Sequence, residues 1–341
     1  ELMHALNIPI SDYSDVLPLS AMQYDMFMDN LVNPTTLQSS HGWALDVHNA
    51  IDDGLWRRCL QQFSDNAPIL RSQFIAAKPA YLDVGYLAIR KQHVINYEYM
   101  DVSDKGYGSA EIKGITDKII YRPYDILKDE FVRFVTIKVA SDHYVLVAAV
   151  HHAIQDGAAL NALWEQVTDA YTLLLEDPQA EIAFKEENFS DFVVTDRSVM
   201  DTSNVLDFWK GKLSAVEPLD FTVSAPIPEP GAYRSQEFYL DETHWAEVKK
   251  YCRKQRITPA LYFKVLYGLM INTYCRPDSD FAIQETMAGR GKGHYTSQGC
   301  YIQEIPFVFE KNAFASANDV ASIFNVARQF QKEIKNYRLI S

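Results

Sequence analysis

Cysteine is scarce in this sequence, and long apolar runs are missing. The 341 residues include four cysteines, which lie far apart and lack the C-x-x-C spacing of zinc sites and redox motifs. A disulfide scaffold is therefore disfavoured, and reduced thiols in a cytoplasmic protein are expected. No apolar run approaches the length that spans a bilayer, and the first residues lack a signal-peptide pattern. We therefore expect no membrane partner.

Positive charge is also in short supply. Lysine and arginine together number 32 against 45 aspartates and glutamates, which gives a formal net charge of -13 at pH 7. Because no basic stripe offsets this balance, nucleic acid is not expected as a partner. The remaining composition, 48% hydrophobic and 23% charged, is ordinary for a globular protein, and the length predicts about two domains or lobes.

One stretch near the middle of the chain combines a buried strand with ionisable side chains. Residues 145–150 form an apolar, β-branched-rich run typical of a strand buried on both faces. His151 and His152 end this run, Asp156 and Gly157 follow, and an amphipathic helical pattern then begins. The histidines therefore lie where a strand gives way to a turn and a helix, a position that can hold a polar side chain rigidly.

These residue types suit proton transfer or the orientation of a nucleophile. Successive side chains of a strand point to opposite faces, so one of His151 and His152 is expected to be structural and the other to face a substrate. A neutral imidazole can accept a proton from an amine or a hydroxyl group if a main-chain carbonyl fixes its other nitrogen. Asp156 can cap the helix or pair with an arginine, and the Gly157 N–H can approach a developing oxyanion. A metal site is not expected, because adjacent histidines diverge.

The spacing His-His-x-x-x-Asp-Gly resembles the core signature of the condensation domains of nonribosomal peptide synthetases, which belong to the chloramphenicol-acetyltransferase-like superfamily. The resemblance implies an α/β (α+β) fold of two lobes in a V-shape with a tunnel between them. Residues 16–177 would form the N-terminal lobe, which carries the motif. Residues 178–341 would form a C-terminal lobe that stops before the family's last motif and strands. Residues 1–15 would be a linker from an upstream domain such as a carrier.

Two segments of the first lobe also resemble family motifs. Ser20 and Gln23 fit both a helix capping box and the family's opening Leu-x-x-Ser-x-x-Gln motif, which implies a place near the substrate tunnel. Arg71 lies in a segment similar to the Arg-His-Glu-x-Leu-Arg-Thr-x-Phe motif, although residues 66–68 depart from that pattern. The resemblance makes Arg71 one candidate partner of Asp156.

The second half of the chain contains the other candidates. Arg290 lies in a glycine-rich basic loop where the family has Gly-Arg, which makes it the second candidate partner of Asp156. Gly299 and Pro306 match the family's Gly-x-Phe-x-Asn-x-x-Pro strand, in which Gln303 replaces the Asn. Because that strand covers the tunnel in the family, Gln303 is expected to face substrate.

Local patterns predict individual strands as well. An antiparallel pair is expected between residues 131–139 and 144–150 across a short turn. Further strands are predicted at residues 69–74 and 238–240. Residues 176–187, which are acidic and include a proline, are predicted to link the two lobes.

The resemblance implies an acyltransferase that joins a carrier-bound acyl or peptidyl thioester to an amine in nonribosomal peptide or hybrid polyketide biosynthesis. His152 would orient or deprotonate the amine, Asp156 would hold the turn through an arginine, and Gly157 would face the oxyanion. Ala158 replaces the family's bulky residue, which predicts extra room near His152. No permanently bound cofactor or metal is implied, because substrates arrive on the 4'-phosphopantetheine of carrier domains. The chain would act as a monomer or as part of a multidomain synthetase.

Motifs of related enzymes argue against several other functions. The Asp-Phe-Gly-Trp-Gly motif of plant coenzyme-A acyltransferases and a Glu-Gly-His-Gly-Arg-like segment of epimerisation relatives are absent from the sequence, and no paired aspartates replace the histidines as in cyclisation relatives. An ester-forming enzyme with a hydroxyl acceptor stays open. So does a catalytically silent docking module, which the departure at residues 66–68 favours and the intact His-His-x-x-x-Asp-Gly motif disfavours.

Overall fold

The computed structural model describes residues 8–76, 85–184, 189–200, 203–219, 237–275, 279–291, 294–312 and 320–334. Its strands are β1 (Tyr13–Pro18), β2 (Ser40–Val47), β3 (Ser72–Ala76), β4 (Gly85–Arg90), β5 (Tyr97–Asp101), β6 (Val132–Ala140), β7 (His143–His151), β8 (Phe281–Ala288) and β9 (Ile302–Phe309). Its α-helices are α1 (Ala21–Val32), α2 (Asp53–Asn66), α3 (Ser109–Ile120), α4 (Gly157–Glu176), α5 (Ser190–Met200), α6 (Ser203–Leu213), α7 (Glu242–Gln255), α8 (Pro259–Cys275) and α9 (Val320–Ile334).

The chain divides into two compact units. Residues 1–199 and 288–303 belong to the first unit, and residues 200–287 and 304–339 to the second. The boundary predicted between residues 177 and 178 lies inside the first unit. Phe189 and Phe192, which follow that boundary, are buried in the same hydrophobic cluster as Tyr301. Apolar burial of these rings therefore draws two distant parts of the chain into the first unit.

The main sheet of the first unit has the strand order β2-β7-β6-β5. Strand β7 pairs antiparallel with both of its neighbours, and β5 pairs parallel with β6. The antiparallel pair predicted at residues 131–139 and 144–150 is thereby confirmed as β6 and β7. A second sheet has the order β1-β4-β3.

Strand β7 is buried on both faces, as its apolar run predicts. The even-numbered residues 146–150 enter the main hydrophobic cluster of the unit, whereas the odd-numbered residues 145–149 enter a separate cluster shared with α3. Each fully buried valine or leucine contributes about 1.5–3 kcal/mol to folding. The strand is thus held from both sides, which fixes the position of the histidines at its end.

Two of the predicted strands differ in the structure. Residues 68–71 form a 3₁₀ turn in which the hydroxyl of Ser72 donates to the carbonyl of Ile69 at 2.6 Å, so β3 begins only at Ser72. Residues 238–240 form no strand, and the side chains of Phe238 and Tyr239 are 83% and 86% exposed. An apolar run becomes a strand only where a neighbouring strand supplies its hydrogen bonds, and no described strand pairs with residues 238–240.

The second unit has its own hydrophobic core. The paired strands β8 and β9 contribute Phe281, Phe307 and Phe309, and helices α8 and α9 contribute side chains such as Val265 and Phe324. Among the residues described, no helix has the length and apolar character needed to cross a membrane.

Candidate active site

The main chain fixes both histidines at the end of β7. The N–H of His151 donates to the carbonyl of Phe131 at 2.8 Å, and the N–H of His152 donates to the carbonyl of Ser39 at 2.7 Å. Ser40 on β2 lies opposite His151 in the sheet register. The turn that follows therefore starts from an anchored backbone.

His151 lies wholly inside the first unit. Its ring is 0% exposed and sits among the rings of Phe74, Tyr124 and Phe131, with centroid separations of 6.3, 5.2 and 5.3 Å. Its Nδ1 accepts the N–H of Ala153 at 3.2 Å, so the ring proton of the neutral form resides on Nε2. Burial lowers the pKa of His151 to about 3, which keeps the ring uncharged near neutrality. These contacts suit a structural role.

His152 is partly exposed and presents its ring differently. The ring stacks on that of His41, with 4.3 Å between centroids and 4° between the planes. Its Nδ1 is buried and has no hydrogen-bond partner within the described part of the chain, so Nε2 is the accessible ring nitrogen. The main-chain carbonyl expected to fix the second nitrogen is therefore not found there. The ring of His41 holds the imidazole instead.

His41, on β2, is a residue that sequence reasoning missed. Its Nε2 donates to the carbonyl of Gln155 at 3.1 Å, which ties the ring to the turn after β7. Burial lowers the pKa of His41 to about 4, and the neighbouring His152 makes the second-largest contribution to this shift. The sequence shows only a histidine beside Ser40. That this histidine lies close to the turn follows from the strand register, which sets Ser40 opposite His151.

We expect stability to fall as the pH drops from about 6.5 toward 4. His151 and His41 have folded-state pKa values of about 3 and 4, whereas an unfolded histidine titrates near its ordinary value of 6.5. The unfolded state therefore binds more protons in this window, and acid favours unfolding. Denaturant melts at several pH values test this, and His151→Gln should lose stability less steeply with acid than the parent chain. A loss of stability as steep in His151→Gln as in the parent chain would contradict the assignment.

Asp156 is buried, with 2% exposure. It both caps a helix and pairs with an arginine. As the N-cap of α4 it accepts the N–H of Ala159 on Oδ1 at 2.8 Å. The same oxygen lies 2.5 Å from Nη2 of Arg290, and Oδ2 accepts the N–H of Tyr301 at 3.0 Å. The Asp156 N–H donates to the carbonyl of Gly299 at 3.2 Å. Asp156 thus joins the turn to residues 288–303 of the same unit.

The two arginine candidates have different partners. Arg290 is buried with Asp156, and its Nη1 donates to the carbonyls of His294 and Ser297, each at 2.7 Å. Arg71 does not reach Asp156, because its Nη1 donates to the carbonyls of Arg90 and Lys91 at 2.6 and 3.1 Å. The ion pair with Asp156 is therefore made by Arg290. A planar guanidinium suits this place because its fork of donors serves a carboxylate and several carbonyls at once.

Gly157 and Ala158 begin α4. Gly157 is half-buried, and a Cβ built on it would meet nothing within 4 Å. As the first helical residue it contributes an N–H that lies outside the intrahelical hydrogen-bond ladder. Ala158 is exposed, so its small side chain leaves open space on this side of the turn.

Three residues expected near substrate are buried and make hydrogen bonds inside the first unit. Ser20 and Gln23, 1% and 0% exposed, form the predicted capping box of α1. Nε2 of Gln23 also donates to the carbonyl of Ala153 at 2.9 Å, which ties α1 to the histidine turn. Gln303 is 5% exposed and donates to Asp196 at 3.2 Å. Their burial leaves little surface for a substrate, so they hold the site in place.

The sequence pattern of one family, described as the condensation domain, matches residues 13–336. The chain belongs to the condensation-domain family. The expected family and its α/β, chloramphenicol-acetyltransferase-like fold are therefore confirmed.

The relatives of this condensation domain include large synthetases. A plipastatin synthase of Bacillus subtilis (strain 168) is 22% identical over 340 residues, which cover 95% of this chain and 12% of the relative. A four-domain nonribosomal peptide synthetase bound to AMP and glycine superposes with a TM-score of 0.80 at 16% identity, over 96% of this chain and 24% of that one. The epimerization domain from the third module of tyrocidine synthetase B superposes with a TM-score of 0.70 at 17% identity, over 94% and 72%. The condensation domain thus spans a small part of the curated relative and shares its fold with an epimerization domain.

A second residue of the condensation domain escaped sequence reasoning. Gln298 is 1% exposed, and its side-chain oxygen accepts a hydrogen bond from Gln155 in the turn. Its Nε2 donates to the carbonyl of Ala159 at 3.2 Å. The only sequence signal was its position beside Gly299 of the family strand. Gln298 and Arg290 therefore fasten the same segment to the turn that carries His152.

Proposed function

We propose that this condensation domain joins a carrier-bound acyl or peptidyl thioester to an amine, forming an amide bond in nonribosomal peptide or hybrid polyketide biosynthesis. Membership of the family supports acyl transfer. The observation that carries the proposal is the imidazole of His152, whose accessible Nε2 is presented by a turn fixed to the start of β6, to α1 and to residues 288–303. A surface histidine without a chemical role would not need an anchor of this kind.

The reaction moves one proton from nitrogen to sulfur and exchanges a C–S bond for a C–N bond. The amine nitrogen attacks the thioester carbonyl carbon, a C–N bond forms, the C–S bond breaks, and the phosphopantetheine thiol leaves. Nε2 of His152 would orient the amine and accept the proton that it loses, then return this proton to the departing sulfur. General acid–base assistance of this kind contributes about 10²–10⁴-fold to rate. The accessible nitrogen is the one such a role requires.

The neighbouring residues would support this role without touching substrate. Asp156 and Arg290 neutralise one another inside the unit and fix the start of α4. Because the N–H of Gly157 lies outside the helical ladder, it would be free to stabilise the oxyanion that develops on the carbonyl. Ala158 would leave room for a bulky acyl chain or acceptor. Carrier domains would be the partners, and their phosphopantetheine arms would supply the thioester.

We expect the stack with His41 to hold His152 in its working orientation. His41→Ala should lower kcat by about 10- to 100-fold with little change in KM, because a misplaced catalytic group slows the chemical step. His41→Phe keeps a flat ring against His152 and should retain most of the activity. Steady-state kinetics of the two variants, with melting curves as the control for folding, check this. Equal losses in both variants would assign the effect to the bond with Gln155, and an unaffected His41→Ala would remove the role altogether.

The direct test of the function uses donor-loaded carrier domains. Each carrier from the surrounding synthetase is loaded with an acyl or aminoacyl group and offered with a panel of amines and alcohols, and the carrier mass is followed by intact-protein mass spectrometry. Loss of the acyl group together with an amide product supports the proposal. An ester product would assign the hydroxyl-acceptor reaction. Carrier binding without turnover, under conditions in which a known condensation domain is active, would mark a docking module and overturn the proposal.

A further inference from the structure

Three side chains of the types that bind metal ions share one face of the main sheet. They lie at the end opposite the turn that carries His152, here called the catalytic turn. Asp46 lies near the end of β2, His48 follows that strand directly, and His143 begins β7. The register sets Asp46 opposite Val145 and Val47 opposite Tyr144, so His48 comes next to His143. Because strand side chains alternate between faces, Asp46, His48 and His143 emerge on the same side.

The side chains already converge. Nε2 of His143 lies 2.6 Å from Oδ1 of Asp46, and Nε2 of His48 lies 3.8 Å from Oδ2 of the same carboxylate. The two imidazole rings stack with 4.4 Å between centroids. One ligand atom from each residue lies within 4.8 Å of the other two. Both rings thus direct their Nε2 atoms toward one carboxylate.

We propose that Asp46, His48 and His143 form a binding site for a divalent transition metal ion, for which zinc is a suitable probe. Two imidazole nitrogens and a carboxylate oxygen are ligands that zinc, nickel and copper bind well, whereas magnesium and calcium prefer oxygen alone. Ligand atoms of a tetrahedral zinc ion lie about 3.4 Å apart, since each bond is about 2.0–2.1 Å long. The side chains must therefore move by up to roughly 1 Å: the 3.8 Å separation between Nε2 of His48 and Oδ2 of Asp46 must shorten, and the 2.6 Å separation between Nε2 of His143 and Oδ1 of Asp46 must lengthen. Side chains as exposed as Asp46 at 63% and His48 at 72% have the freedom to do so.

The site is separate from the proposed reaction. Strand β7 is nine residues long, so His143 and the catalytic turn lie about 26 Å apart along it, at about 3.3 Å per residue. A metal ion here would crosslink β2 to β7. It would therefore stabilise the first unit by binding only its folded form, and it would take no part in acyl transfer.

The test is a titration of the purified protein with zinc chloride, followed by calorimetry, and with cobalt chloride, followed by its visible absorption. One saturable equivalent is expected in the parent chain, together with a higher melting temperature in the presence of zinc. His143→Ala and His48→Ala should each weaken binding by at least about tenfold and abolish the thermal shift. His48 is exposed and outside the strands, so its replacement keeps the test valid even if His143→Ala folds poorly.

Two control variants separate this site from other histidines. His244 also pairs with an aspartate, Asp241, at 2.8 Å, but it lies outside this cluster, so His244→Ala should bind zinc like the parent chain. His41→Ala should also leave binding unchanged, because the His41–His152 stack lies at the other end of β7. Absence of saturable binding in the parent chain would overturn the proposal. Zinc binding that is lost in His41→Ala but kept in His48→Ala would also overturn the proposal, because it would place the metal at the catalytic turn.

Discussion

His152→Ala is expected to lower amide formation by about 10²–10⁴-fold while leaving the fold intact. The large effect follows from the role proposed for Nε2, which accepts the proton of the amine in the chemical step. The small structural effect follows from its surroundings: the ring is partly exposed and makes no hydrogen bond to a described residue, so its removal leaves no buried partner behind. Single-turnover assays with a donor-loaded carrier measure the first effect, and melting curves the second.

Two comparisons make the His152 result decisive. His244→Ala, at an exposed histidine of the second unit, should keep the activity of the parent chain. Added imidazole should restore part of the activity of His152→Ala if the missing group is a proton acceptor. A His152→Ala protein with nearly unchanged turnover would remove the catalytic role, and the proposed mechanism with it.

Asp156→Ala is expected to destabilise the folded chain by about 3–5 kcal/mol. The change removes the N-cap of α4, the acceptor for the Tyr301 N–H and the counter-charge of Arg290, whose side chain is 4% exposed. Most of the loss arises because the Arg290 guanidinium stays buried without its carboxylate. Denaturant unfolding curves give the free energy, and activity should fall in step with the loss of the anchored turn.

A double-mutant cycle isolates the ion pair from the cap. Adding Arg290→Met to Asp156→Ala should recover part of the lost stability, because the second change removes the orphaned charge. Arg71→Met is the matched control, and its effect should be much smaller because, within the described part of the chain, Arg71 bonds to carbonyls near β4 and to no carboxylate. An Asp156→Ala protein that is inactive yet as stable as the parent would instead assign Asp156 a direct part in the chemistry.

The sequence predicts those parts of the fold that local patterns determine. The β6–β7 pair, the helix after Asp156 and the capping box at Ser20 all follow from alternation, helical spacing and cap chemistry within a few residues. The strand predicted at residues 238–240 is wrong because strand formation depends on a partner that the local pattern does not contain. At residues 69–71 the proline-led turn and the Ser72 hydroxyl outweigh the apolar pattern.

Local sequence patterns also predict only part of the candidate site. Divergence of the two adjacent histidines follows from the period of a strand, so the sequence could anticipate one buried and one accessible ring. The sequence could not choose between Arg71 and Arg290, because the choice depends on which loop returns to Asp156. It also missed His41, whose contact with His152 spans 111 positions and follows from the β2–β7 register. Long-range pairing therefore decides the orientation of the groups that the motif supplies.

Because residues 288–303 belong to the first unit, a condensation domain of this kind cannot be divided cleanly at one point in the chain. The first unit contains these residues although almost 90 positions of the second unit precede them in the chain. A truncated polypeptide ending at residue 199 would lack the guanidinium opposite Asp156 and the aromatic ring beside Phe189. Chimeras joined near residue 200 would inherit a mismatched insert from their second parent. Crossover points that keep both stretches from one parent should therefore give soluble hybrids more often.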